Sequence, residues 1–206
     1  YYNSAGTMMD RNLGALSAVP GDAGALGLKY QWGRKDPFLS SSSISSCEYA
    51  VSTGTWQTST NGSAAMAEAN PTTFFADMSL LNRSWKDEKT PYDPCPVGWR
   101  VPDGGVDGVW AKASGNYSAE IIYDWDKHGV DFSGIFGSDE TIWYPGAGYL
   151  EYNDGTLGQV GGYGYYWSCT PASEYAFTLR FSYDETRIQH LGQYRAYGFP
   201  VRCQKE

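Results

Sequence analysis

The chain has 206 residues, 41% of them hydrophobic and 16% aromatic, with 25 glycines, 17 tyrosines and a formal net charge of −8. That acidic balance argues against a nucleic-acid partner, which needs a basic face, and no apolar run approaches the roughly 20 residues that span a bilayer. So many Gly and Tyr predict short strands, turns and a Tyr-rich surface in one α+β, β-rich domain over 1–206. A leader-like segment and a starting Met are both missing, so a mature or excised piece of a longer protein is expected.

Taken in order, Thr7 to Ala15 reads as a strand ended by Gly14. Leu28, Tyr30 and Trp32 alternate with Lys29 and Gln31, a strand pattern, while Ala23 to Leu28 also tolerates a short helix. Arg34, Lys35 and Asp36 sit beside Pro37 and read as an ion pair bracing a turn. Ser40 to Ala69 is rich in Ser, Thr, Gly and Ala, a composition that buries little; a surface excursion over 40–70 with one short helix, Ala64 to Ala69, is expected. Within it Tyr49 and Trp56 either pin the excursion down or meet a ligand, pinning being the simpler role.

Pro71 biases Asn70 toward extended backbone before Thr73-Phe74-Phe75. The prolines around Cys95 leave room for a short strand, Gly98 to Val101. Val106, Val109, Trp110 and Ala113 have helical spacing. Val130, Phe132 and Ile135 read as a strand, followed by strands at Ile142 to Pro145 and Gly148 to Tyr152. Asn153-Asp154-Gly155 is a hairpin signal. The loop acids Asp124, Asp126, Asp131, Asp139, Glu140 and Asp154 match no calcium-loop spacing and read as solvated carboxylates.

From 161 to 203 the ends, Tyr166-Trp167-Ser168 and Gly198 to Cys203, read as core strands. Between them an apolar frame (Ala176, Phe177, Leu179, Phe181, Ile188, Leu191) carries polar and aromatic residues suited to an adaptable recognition surface. The candidate ligand-binding residues are Tyr163, Tyr165, Ser173, Glu174, Tyr175, Thr178, Arg180 and Ser182, followed by Tyr183, Glu185, Arg187, Gln189, His190, Gln193, Tyr194 and Arg195. Glycan or protein are the expected partners, with no cofactor and no metal. Any one of these residues is as readily a solvated strand or loop position; the clustering raises the claim.

Cys47, Cys95, Cys169 and Cys203 form no CxxC or Cys/His cluster, which speaks against zinc and fits either one or two disulfides or reduced buried thiols. An enzyme is a weaker alternative. His190 lies near Asp184 and Glu185, but no nucleophile motif accompanies it, and a glycosidase-like carboxylate pair assembled from loops has no sequence signature.

Five motifs, Asp10 to Ala15, Tyr30 to Phe38, Asp93 to Pro102, Tyr166 to Ser168 and Gly198 to Cys203, occur in this order in one family. Over nearly its whole length the chain resembles the Fibrobacter succinogenes major paralogous domain of bacterial cell-surface and fimbrial proteins. The resemblance implies a C-type-lectin-like fold in the branch of formylglycine-generating enzymes and of the variable proteins of diversity-generating retroelements. In the latter a C-terminal segment like Tyr163 to Arg195 is diversified. It implies further that Gly98 to Val101 pairs with Phe199 to Arg202 and that Cys95 bonds to Cys203. It places the domain at the bacterial surface, as an adhesin-like tip or as a structural subunit that joins fimbrial stalk subunits. Calcium-lectin sugar motifs are absent. Cys169, where the family has Ser, is a departure, and its pairing with Cys47 is left open.

Overall fold

The computed structural model describes residues 2–3, 5–40, 57–59, 64–77, 85 and 89–206. Among them are sixteen short strands and four short helical segments, a β-rich fold. The largest sheet in residues is an antiparallel meander of Tyr163–Ala172, Tyr175–Ser182 and Gln189–Tyr194. A second, four-stranded sheet runs in the order Leu157–Gly158, Tyr149–Leu150, Gly198–Phe199, Tyr30–Gln31.

The central strand of the meander is covered on both faces. One face buries Leu179 and Phe181 with Tyr166, Tyr144, Phe132 and Trp110. The other buries Ala176 with Trp167, Trp32, Phe199 and Val201. Alternation along Ala176 to Phe181 therefore marks two buried faces, since Ala176 and Thr178 are as inaccessible as Leu179 and Phe181. Leu191, expected in the apolar frame, is exposed on the outer strand, whereas Ile188 is buried.

Several sequence motifs turn out to fasten elements together. Gln31 donates through Nε2 to the carbonyls of Phe75 and Ala196, and its Oε1 accepts from Phe75 N–H and Arg34. Arg34 is buried, bonds the carbonyls of Thr73 and Pro71, and pairs with Asp36 at 3.5 Å, the expected turn brace. Asn12 is buried and its Oδ1 accepts both Nε and Nη2 of Arg202, whose guanidinium lies 3.8 Å from the Tyr144 ring centre. Buried donors and cations of this kind hold only when partnered. The Trp167 indole donates to the Tyr30 carbonyl and the Trp32 indole to the Ser168 carbonyl, locking the two sheets to each other.

The disulfide Cys95–Cys203 is present, with Cα atoms 5.9 Å apart. The pairing around it differs from expectation. Trp99–Arg100 pairs with Gln204–Lys205, two to three residues beyond the end of the expected partner at Arg202, while Gly198 and Phe199 pair with Gln31 and Tyr30. The reason is that Pro200 lacks an N–H and its carbonyl is taken by Trp167 N–H, so 200–203 runs as a buried extended thread.

Thr7 to Ala15 is a strand only at Gly6–Thr7; beyond it Met9 and Leu13 N–H donate to Cys203 and Val201 carbonyls across irregular backbone. Ala23–Ala25 is a 3-10 turn capped by Asp22, the helical alternative in miniature. Helices occupy Ala64–Ala69, Val109–Ser114 and Ser133–Phe136. Val106 is exposed outside its expected helix, which starts only at Val109 behind the extended Gly108 at its N-cap, and Ile135 lies in a helical turn, not on a strand. The hairpin at Asn153-Asp154-Gly155 forms as expected, with Tyr149 opposite Gly158 and Gly155 at a φ of 72° that glycine adopts freely. Tyr49, Trp56 and Cys47 lie outside the described residues, as does most of the 40–70 excursion.

Candidate functional site

The sixteen sequence-selected residues do not form one patch. The meander's register divides them between its two faces, its hairpin tip and the loop before its outer strand.

Tyr165, Arg180 and Gln189 stand opposite one another across the three strands and share a face with Tyr163. Arg180 donates to the Tyr165 hydroxyl at 3.0 Å and to Gln189 Oε1 at 2.9 Å, and it pairs with Glu185. Its guanidinium also sits 5.3 and 5.6 Å from the ring centres of Tyr163 and Tyr165, which stack nearly parallel at 6.2 Å. The group is half-buried and preorganised: Arg180 ties Tyr165, Glu185 and Gln189 together, so little of their side-chain entropy is lost on contact with a ligand. Burial raises the Tyr163 and Tyr165 hydroxyls above the ordinary range, against the opposing pull of Arg180, and keeps them protonated.

At the hairpin tip Tyr175 and Tyr194 pack at 4.7 Å. Arg195 donates to the carbonyls of Tyr175 and Ser173 and lies 4.4 Å above the Trp32 ring, so it fixes the tip to the core. An open pocket of about 360 Å³ sits here, walled by Tyr152, Tyr194, Arg195, Glu174 and Asp77. Gln193, half-buried, faces away from Tyr194 beside Ala176. Beyond the strand's other end, Tyr183 is exposed and packs on Trp125 at 5.1 Å and on Tyr163 at 5.7 Å. Arg187 is exposed beside Glu120 at 3.8 Å, off to one side.

Three members are corrections. Thr178 and Ser182 are fully buried, because the central strand is sandwiched, and the Thr178 hydroxyl is spent on the Leu191 carbonyl. His190 points to the opposite face from Arg180 and Gln189, packed between Tyr117 at 5.1 Å and Phe177 at 4.0 Å. Its Nε2 accepts Gly105 N–H at 2.9 Å, and burial lowers its pKa. It is a neutral hydrogen-bond acceptor that ties a loop to the sheet, away from Asp184 and Glu185.

Four aromatic residues that sequence patterning assigned to strands or passed over complete the site. From Tyr165 ring contacts continue to Tyr149 at 5.5 Å, then to Tyr197 at 5.7 Å, Tyr152 at 5.1 Å and Tyr194 at 5.4 Å. With Trp125, Tyr183 and Tyr163 at one end and Tyr175 at the other, the rings form an unbroken rank. Trp125 carried a signal in the sequence, a large ring between Asp124 and Asp126 that no core could accept. Tyr197 carried none.

Among the described residues no group of His, Cys, Asp or Glu is arranged to hold a metal ion. Asp124, Asp131 and Asp154 each accept N–H groups of their own turns. Burial, then Asp103, pushes the Cys169 thiol up to about 12, so it carries no thiolate at neutral pH. Compared with protein-family models, with curated proteins and with solved structures, the chain matches none. No helix among the described residues is long and apolar enough to cross a membrane.

Proposed function

We propose that the chain is a ligand-binding module, adhesin-like, working outside the cell at a bacterial surface or fimbrial tip. The observation that carries this is the placing of exposed aromatic rings. The described residues have four, Trp125, Tyr152, Tyr183 and Tyr194, and all four lie on one rank along the C-terminal sheet. Rings left in water at a shared site, beside half-buried hydrogen-bonding groups, are the composition of recognition surfaces. The disulfide supports an oxidising compartment. The motif resemblance supports a C-type-lectin-like fold and a surface or fimbrial setting, with a glycan or a protein as partner.

The test is a glycan and surface-protein array probed with the wild-type chain and with Tyr183→Ala, Tyr194→Ala and Arg187→Ala. Wild-type binding that falls roughly tenfold or more in the two tyrosine variants, with Arg187→Ala near wild type, is expected. Binding unaffected by every variant would refute this site.

A further inference from the structure

We infer that the aromatic rank is the track for an extended, neutral polysaccharide, with Trp125 and Tyr152 as contacts toward its two ends; this rests on the binding-module function proposed above. Length is the first argument. The central strand from Tyr175 to Ser182 has 8 residues and spans about 23 Å at the usual rise per residue, and the rank runs from Tyr163, opposite its Ser182 end, to Tyr194, opposite Tyr175. A ligand confined to the tip pocket of about 360 Å³ touches Tyr152 and Tyr194 but not Trp125, which is not among the residues that line it.

Ring chemistry is the second. Tyrosine and tryptophan faces accept the C–H-rich face of a sugar, while phenol groups and neighbouring carboxylates meet its hydroxyls. Charge is the third. Glu151 lies against Tyr197, Asp184 near Tyr163 and Glu174 in the wall of the tip pocket, while Arg180 is paired with Glu185, Lys127 with Asp124, and Arg195 is packed on Trp32. Such a margin, on a chain of net charge −8, repels a polyanion and suits an uncharged, hydroxyl-rich chain.

Shape separates a polysaccharide from a proline-rich peptide, the other polymer that favours aromatic tracks. Tyr175 and Tyr194 project from the sheet face opposite to that of Tyr163 and Tyr165, so the rank turns the end of the sheet through Tyr152, Tyr197 and Tyr149. A polyproline helix is semi-rigid over several residues and does not follow that turn. A polysaccharide with freely rotating linkages, such as an α-1,6-linked glucan, follows it.

The test uses the whole chain. Electrophoretic retardation in gels containing dextran, mannan or xyloglucan is compared with heparin, and a polyproline peptide is titrated in solution. Oligosaccharides of increasing length from the retained polymer are then titrated into the wild type, Trp125→Ala and Tyr152→Ala. Both substitutions are at exposed rings, and circular dichroism checks that each variant is folded. Retention by a neutral polymer is expected, with affinity still rising about tenfold from disaccharide to hexasaccharide and each variant weakening the hexasaccharide about fivefold or more. Affinity complete at the disaccharide, or sensitive to only one end, overturns the track and leaves a binding module with a local pocket. Binding only to heparin, polyproline or an arrayed protein also overturns the track and leaves the binding module. No binding to any probe or arrayed ligand overturns both.

Discussion

His190 and Lys29 are where single side chains set the pH response. His190 is held neutral between two rings with Gly105 donating to Nε2, and its folded pKa lies below the ordinary value. A lowered folded pKa means the unfolded chain takes the proton first, so this contribution is complete above about pH 6.5 and fades as the pH falls through the folded value. Urea unfolding at pH 5 and pH 7.5 is expected to show a loss at the lower pH that is smaller in His190→Gln.

Lys29 is wholly buried, with Nζ donating to the Ala147 carbonyl at 2.6 Å and the Ser40 hydroxyl at 3.1 Å. Desolvation lowers its pKa to about 7. The unfolded chain keeps that proton up to about pH 10, so the cost of burying the charge is relieved as pH rises above 7. The thermal midpoint of the wild type is expected to climb from pH 7 to pH 9 relative to that of Lys29→Met. Parallel curves would show that Lys29 is not desolvated as described.

At the scale of elements, the hairpin tip is the informative one. Ser173 sits at a φ of 57°, a conformation costly for a residue with a Cβ, and Arg195 holds it there through the Ser173 carbonyl. Ser173→Gly is expected to stabilise the chain by about 0.5–1 kcal/mol without displacing Tyr175, read from urea midpoints. The meander also shows how alternation misleads. Phe177, Leu179 and Phe181 alternate with Ala176, Thr178 and Arg180 as on a half-buried strand, yet Ala176 and Thr178 are buried as fully as Leu179 and Phe181, and Phe177 only half. Burial of the second face depends on Trp167 and Phe199, supplied by other strands, which no local pattern contains.

For the whole molecule, the Cys95–Cys203 bond closes a loop of 108 residues. Removing it as the Cys95→Ala, Cys203→Ala pair is expected to cost about 4–5 kcal/mol by loop entropy, measured by urea denaturation. The double variant is needed because a lone thiol left in that core would confuse the result. The bond ties the segment before Trp99–Arg100 to the buried thread of 200–203, so loosening of both should accompany the loss.

Local chemistry determined the β-rich class, the Asn153-Asp154-Gly155 hairpin, the Ala64–Ala69 helix and the brace between Arg34 and Asp36, because each depends on residues within a few positions of one another. It also marked the last fifth of the chain, 161–203, as the place of interest. Which faces of the meander are open was decided only by tertiary structure. So were the burial of Thr178 and Ser182, the turning away of His190, and the joining of Trp125, Tyr149, Tyr152 and Tyr197 to the site. The physical reason is that exposure and ring contact are properties of packing between strands far apart in sequence, and a side chain's own neighbours along the chain carry no record of them.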